Sequence, residues 1–225
     1  SKLATDLPTM REAFRLATRF AIRATWSDYA DPVQKKQVER ERRIGIGFLG
    51  FHEFLLKNGC KYSDFPNDEK TKGILREMAK TVEEEARKYA HKLRIPAPIK
   101  TRCIAPTGTT SLLCGVSSGM HPIFYKYFLR RVRFSLLDER KKEQLREFEE
   151  KGFPITDDVS PMTKIVTFPC KAAILDEVDE DLVEESTEIS LEDFLSVQAA
   201  LQAVWADNAI SATASIPPTM SRSRI

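Results

Sequence analysis

Along this 225-residue chain the apolar residues switch repeatedly between the three-and-four spacing of a helix and the alternation of a strand, and that switching most constrains the fold. Thr5 or Asp6 can cap a first helix, with Pro8 in its first turn and Met10, Ala13, Phe14, Ala17, Phe20, Ala21 and Ala24 on its core face. Residues 26–32 read as a turn, and 33–43 as a charged, solvated segment. Arg-Ile-Gly-Ile-Gly-Phe at 43–48 suits a buried strand that another backbone or a ligand approaches closely. A helix through Phe51, Phe54 and Leu55 follows and stops at Asn58-Gly59. Asn67 or Asp68 caps a longer one, with Ile74, Met78, Val82, Ala86, Tyr89 and Leu93 on one face; it ends before Pro96, with His91 in its last turns.

Residues 101–105 predict a strand that delivers a loop, and 123–135 a strand crossing from core to surface. A charged helix is expected over 138–151, anchored by Leu145 and Phe148 and stopped by Gly152, then a strand over 164–170. Residues 176–188 are acidic and read as a solvated loop. Ser190 and Asp193 form a capping box ahead of Phe194, Leu195, Gln198, Leu201, Val204, Trp205 and Asn208. Residues 209–216 alternate like a strand, and 217–225 carry no pattern. Interleaved helices and strands predict an α/β layered or barrel fold.

The loop after residue 105 carries the chemistry. Thr107, Gly108, Thr109, Thr110 and Ser111 have the makeup of an anion cradle: glycine lets backbone N–H groups turn inward, hydroxyls add donors, and a helix starting near Ser111 points its positive end at the same spot. Pro-Thr-Gly-Thr is also ordinary turn chemistry, and no Gly-Lys-Ser/Thr ending makes it a P-loop. Arg130, Arg131 and Arg133 can meet phosphate, although exposed ion pairs are the commoner use of such arginines.

Composition narrows the partners. A net charge of +2 provides no broad basic field for nucleic acid, so anion binding must be local. Cys60, Cys103, Cys114 and Cys170 form no CxxC or CxxH pair, which argues against a zinc site and for a reducing compartment. No run approaches the roughly 18 apolar residues of a membrane span, and the expectation is a cytoplasmic protein with no membrane or nucleic-acid partner.

Three ordered blocks carry a resemblance: ERRIGIGFLGFHEFLLKNG from Glu41, IAPTGTTSLLCGVSSGMHPIF from Ile104 with YKYFLRRVRF behind it, and QAALQAVWADNAISATASIP from Gln198. Together they resemble the second half of the catalytic barrel of ribonucleotide reductases, and Gly-Met-His, Arg-Arg-Val-Arg-Phe, Phe-Pro-Cys-Lys-Ala and Trp-Ala-Asp-Asn lean toward the adenosylcobalamin-dependent, monomeric ribonucleoside-triphosphate reductases.

The resemblance implies part of a ten-stranded α/β barrel in which a cysteine thiyl radical removes the 3′ hydrogen of a ribonucleotide. Two further cysteines then reduce the 2′ position and are recharged by a thioredoxin-type reductant. It implies that residues 1–225 form a single C-terminal half-barrel piece, without the Asn-Pro-Cys-Gly-Glu finger loop that carries the radical. None of the four cysteines has that context, so no catalytic residue is assigned on this chain. The chain is expected to need a second polypeptide or segment bearing that loop, to be inactive alone, and to associate through its open edges. Carried over are Thr107, Gly108, Thr109, Thr110 and Ser111 as the substrate-phosphate loop, and Arg43 and Gly45 as structural. Ser117, Ser118, Gly119, Met120 and His121 stand as a substrate or cobalamin neighbourhood, with a purely structural His121 as the alternative. A non-catalytic nucleotide-binding or regulatory module, or a plain structural domain, stays open beside these.

Overall fold

The computed structural model describes residues 5–216. Residues 217–225, and with them the last residue of the third block, lie outside that range. The chain divides into two compact units, Ser1–Phe124 with Ala173–Ile225, and Tyr125–Ala172.

In the larger unit α1 (Leu7–Ala24) starts where expected: the Asp6 carboxylate accepts the Thr9 N–H. Its inward face differs from the sequence expectation. Thr18 and Ile22 are buried and Met10, Phe14 and Ala21 pack on the core, whereas Phe20 is 77% exposed. The 33–43 segment is a helix, α2 (Pro32–Glu41), with no buried residue. α3 (Phe51–Lys57) buries six of its seven residues, and α4 (Glu69–Leu93) is capped by Asp68 through Thr71 N–H. α5 (Thr110–Cys114) is a single turn. α7 (Leu191–Val204) begins at the expected box, the Ser190 hydroxyl accepting the Asp193 N–H. Phe194, Leu201, Val204 and Trp205 are buried on the predicted face, while Val197 takes the inward place expected of Leu195, which is half exposed.

The strands of this unit are short. Ile46 bridges Arg102 and Ile104 bridges Ile210, both in parallel, so 101–104 is the central segment of three. The expected strand over 209–216 pairs only at its start. Thr213 turns its N–H to the His121 ring (2.9 Å) instead of a neighbouring strand, which ends the ladder. Asp207 clamps the arrangement: its carboxylate accepts the N–H groups of Thr101 and Arg102 and the Thr101 hydroxyl. Burial pushes that carboxyl up, and those donors with the Arg102 guanidinium outweigh the penalty and hold it below the usual range. Phe14, Phe48, Phe51, Phe65, Tyr62 and Trp205 fill the core around the segments, several ring pairs meeting edge to face.

The acidic stretch is anchored, contrary to the expectation of a solvated loop. Val183 is buried, Glu184 accepts both the N–H and the hydroxyl of Ser63, Glu177 pairs with Lys57, and Ser186 N–H bonds Ile123 O. Local charge hid these long-range partners.

The smaller unit is an antiparallel sheet in the order β1-β3-β2, built from β1 (Tyr127–Ser135), β2 (Ile155–Asp157) and β3 (Thr163–Lys171), with α6 (Glu139–Glu150) between β1 and β2. Val132 pairs with Val166, and β2, unforeseen because it has only three residues, aligns Ile155 on Val166. Phe134, Leu145 and Val166 form the small core with Phe148, Phe153 and Phe168 around them. The other face of β1, with Leu129, Arg131 and Arg133, is exposed. Arg133 is held by Asp158 and Arg130 lies over the Phe128 ring, so these two follow the ion-pair and stacking uses.

His52 on α3 is fully buried; its Nδ1 accepts the Ile123 N–H (3.0 Å) and its Nε2 has no partner among the described residues. Burial pushes its pKa down to about 3. The folded-state value therefore lies below the unfolded value of about 6.5, so the stability tied to neutral His52 is complete above pH ~6.5 and is lost as pH falls toward 3. About 2 kcal/mol should be gone at pH 5, read as a lower urea midpoint, and His52→Gln should remove that part of the slope. A midpoint unchanged between pH 7 and pH 5 would contradict the burial.

Candidate phosphate-binding site

The central segment 101–104 is hydrogen-bonded on both sides and delivers the loop at its carboxyl end, where α/β sheets present ligand sites. The left-handed residue there is Thr107 (φ 50), not Gly108. A Cβ added at Gly108 would meet nothing within 4 Å, so the expected role of Gly108 in the turn is corrected. A β-branched residue rarely adopts that conformation, and two bonds hold it: Thr107 Oγ1 accepts the Gly119 N–H (2.7 Å) and Thr107 O accepts the Ser111 N–H (2.9 Å).

α5 starts directly behind, and its cap residue Thr109 makes no side-chain capping bond. Among the described residues, the N–H groups of Gly108, Thr109 and Thr110 donate to no protein group, as expected of a helix start left open. These three residues are exposed; Ser111 is buried, with its hydroxyl directed at Gly108 O (3.5 Å). Of the five sequence candidates, Gly108, Thr109 and Thr110 thus present donors outward, while Thr107 and Ser111 shape the loop. The arrangement can accept an anion on backbone N–H groups and threonine hydroxyls.

Residues 117–121 form the wall behind the loop. Ser117 gives its N–H (2.7 Å) and hydroxyl (2.6 Å) to Glu53, a buried carboxylate on α3, and Ser117 O accepts the Gly50 N–H. Gly119 is left-handed (φ 52), and a Cβ there would lie 2.6 Å from Ala105 O, so it must stay glycine for the two arms of the loop to touch. Met120 is fully buried, and its carbonyl accepts the Tyr62 hydroxyl. His121 donates from Nδ1 to Ser118 O and accepts the Thr213 N–H at Nε2, so both ring nitrogens are spent on backbone. The side chains of Ser117 and His121 are thus spent within the fold, while the Ser118 hydroxyl has no hydrogen-bonding partner among the described residues.

Glu53 and His52 escaped sequence reading because nothing local distinguishes them from other polar residues of a helix. Asp207 sits inside a quoted motif but carries no local sign of its partners at 101 and 102. Burial pushes the Cys60 thiol up to about 12, and the Cys103 thiol is raised as well, burial again being the main cause, so neither is poised as a thiolate. Among the described residues no cluster of three or more His, Cys, Asp or Glu could hold a metal ion, and no helix is long and apolar enough to cross a membrane.

The family described as "Ribonucleotide reductase, barrel domain" matches residues 2–98 and 100–225, and the chain belongs to that family. The putative adenosylcobalamin-dependent ribonucleoside-triphosphate reductase of Mycobacterium phage D29 is 42% identical over 95% of this chain and 32% of its own length. The adenosylcobalamin-dependent ribonucleoside-triphosphate reductase of Lactobacillus acidophilus is 32% identical over 91% of this chain and 29% of its own length. The crystal structure of a B12-dependent (class II) ribonucleotide reductase superposes with a TM-score of 0.79 at 27% identity, covering 90% of this chain and 30% of that one. The fold is therefore part of the reductase α/β barrel, and the chain spans about a third of the length of the relatives it matches.

Proposed function

We propose that this chain is the substrate-phosphate-holding part of an adenosylcobalamin-dependent ribonucleoside-triphosphate reductase, which converts ribonucleotides to deoxyribonucleotides for DNA synthesis. The observation that carries the reading is the row of three unspent N–H groups at Gly108, Thr109 and Thr110, at the carboxyl end of the central parallel segment. Those groups would bind the substrate's phosphates and set its position, while Thr107, Gly119 and Glu53 keep the loop in shape. Bound adenosylcobalamin would supply the radical that starts the reaction, and the cysteines that carry the radical and reduce the sugar come from the rest of the barrel. The half-barrel reading of residues 1–225, a thioredoxin-type reductant and a cytoplasmic setting belong to the same proposal; the unpaired cysteines support the last.

Complementation tests it. The chain is co-expressed with the part of the Mycobacterium phage D29 relative that lies outside its match, then supplied with adenosylcobalamin, a dithiol reductant and a ribonucleoside triphosphate. Deoxyribonucleotide should form with both parts present and with neither alone. A complex that binds nucleotide and yields no product would favour a non-catalytic nucleotide-binding module.

A further inference from the structure

Strand β1 is an edge. It pairs with β3 on one side, and among the described residues nothing pairs with its other side. The two ends of the ladder fix which groups face that open side. Lys126 O accepts the Ala172 N–H (2.8 Å) just before the strand, and the Leu136 N–H donates to Met162 O (2.8 Å) just after it. Antiparallel bonding alternates, so Phe128, Arg130, Val132 and Phe134 are the residues bonded to β3. The N–H and C=O groups of Leu129, Arg131 and Arg133 therefore point away from β3, and the side chains of these three are exposed as well, Leu129 at 67%.

Such a row is a template for another strand, and proteins usually blunt it with a bulge, a proline, a very short strand or charge. β1 is nine residues long, its register with β3 runs unbroken through all of them, and it contains no proline. Charge remains, and it is of one sign. Arg133 is held by Asp158, but among the described residues neither Arg130 nor Arg131 has a carboxylate partner; Arg130 has the Phe128 ring. These cations disfavour pairing with a second copy of β1, whose own arginines would come alongside. They attract an extended chain that carries carboxylates. The protein's own acidic stretch is already spent, with Glu184 on Ser63 and Glu177 on Lys57.

We propose that the open edge of β1 is a docking site for an acidic extended segment of a separate polypeptide, which adds as a strand beside Leu129, Arg131 and Arg133 with a carboxylate opposite Arg131. Backbone pairing holds the segment, and the arginines select its charge. None of these residues belongs to the phosphate loop, so the two readings fail independently.

The probe is a fluorescent nine-residue peptide of alternating glutamate and valine, as long as β1, titrated into the chain and followed by anisotropy. It should bind, more weakly as salt rises, and Arg131→Glu should weaken it by about tenfold or more at an unchanged urea midpoint. The peptide N-methylated on its glutamates, which would face the open N–H and C=O groups, should not bind, whereas N-methylation of its valines should leave the affinity unchanged. In the complex the Leu129, Arg131 and Arg133 amides should exchange about tenfold more slowly by NMR, and those of Arg130 and Val132 as before. No binding, equal binding of the same peptide with lysine for glutamate, equal binding by Arg131→Glu, or binding that leaves the three amides unprotected overturns the proposal. Tighter binding of a single-stranded oligothymidylate that protects the same amides also overturns it and assigns the edge to nucleic acid. Protection that rises with the concentration of the chain alone, or that appears on co-expression with the unmatched part of the Mycobacterium phage D29 relative, overturns it too, since a second copy or that remainder then covers the edge.

Discussion

Gly47→Ala should lower the stability of the larger unit by about 3–5 kcal/mol, against a typical total of about 5–15. The added Cβ would lie 2.5 Å from Cys103 O and 3.6 Å from the Ile104 Cα, both backbone atoms of the central segment, so no flexible side chain can yield. Moving Cys103 O also breaks the bond it accepts from Trp205 Nε1 (3.2 Å), and Trp205 is buried, so its indole N–H would be stranded. Overpacking of this kind costs about 1–3 kcal/mol and an unsatisfied buried donor about as much again. Two other glycines serve as controls. A Cβ at Gly108 or at Gly73 within α4 meets nothing within 4 Å; Gly108→Ala should be near neutral, and Gly73→Ala should stabilise by about 0.5–1 kcal/mol because alanine is the better helix former. Urea unfolding followed by tryptophan fluorescence gives the order, and a Gly47→Ala midpoint equal to that of Gly108→Ala would contradict the packing described here.

How much of this was legible beforehand depended on whether the deciding contact was local. Asp6, Asp68 and Ser190 cap their helices as the sequence indicates, because a cap lies within three residues of its donor. The Arg-Ile-Gly-Ile-Gly run suits a strand that another backbone or a ligand approaches closely, and at Gly47 the Cys103 backbone is that neighbour. Long-range placement was not legible. Phe20 and Ile22 are both apolar and two residues apart on α1, and nothing local says that Ile22 faces the core while Phe20 faces out. The acidic stretch looked solvated because Ser63 and Lys57, which anchor Glu184 and Glu177, are over a hundred residues away in sequence.

For the site, the loop was found by its composition, but the division of labour within it was not. Thr107 and not Gly108 takes the left-handed turn, since the Gly119 N–H twelve residues on stabilises the strained threonine. The wall at 117–121 was suspected of ligand contact on proximity alone, and its hydrogen bonds to Glu53, Tyr62 and Thr213 show what those groups do within the fold.

The phosphate loop is the centre of this account, and Gly108→Asp probes it with little steric consequence because that position is open. A carboxylate there would face the bound phosphates at a few ångströms. Two like charges about 4 Å apart repel by about 1 kcal/mol in water and about 4 at a partly screened surface, which corresponds to roughly a fivefold to thousandfold loss of affinity. The decisive measurement is calorimetric titration of the chain with a ribonucleoside triphosphate, with the unphosphorylated ribonucleoside as control. The account expects binding that depends on the phosphates, weakens as salt rises, and falls at least about fivefold in Gly108→Asp at an unchanged urea midpoint. Equal affinity for triphosphate and ribonucleoside, or a Gly108→Asp chain that binds triphosphate as tightly as the unaltered one, would contradict it.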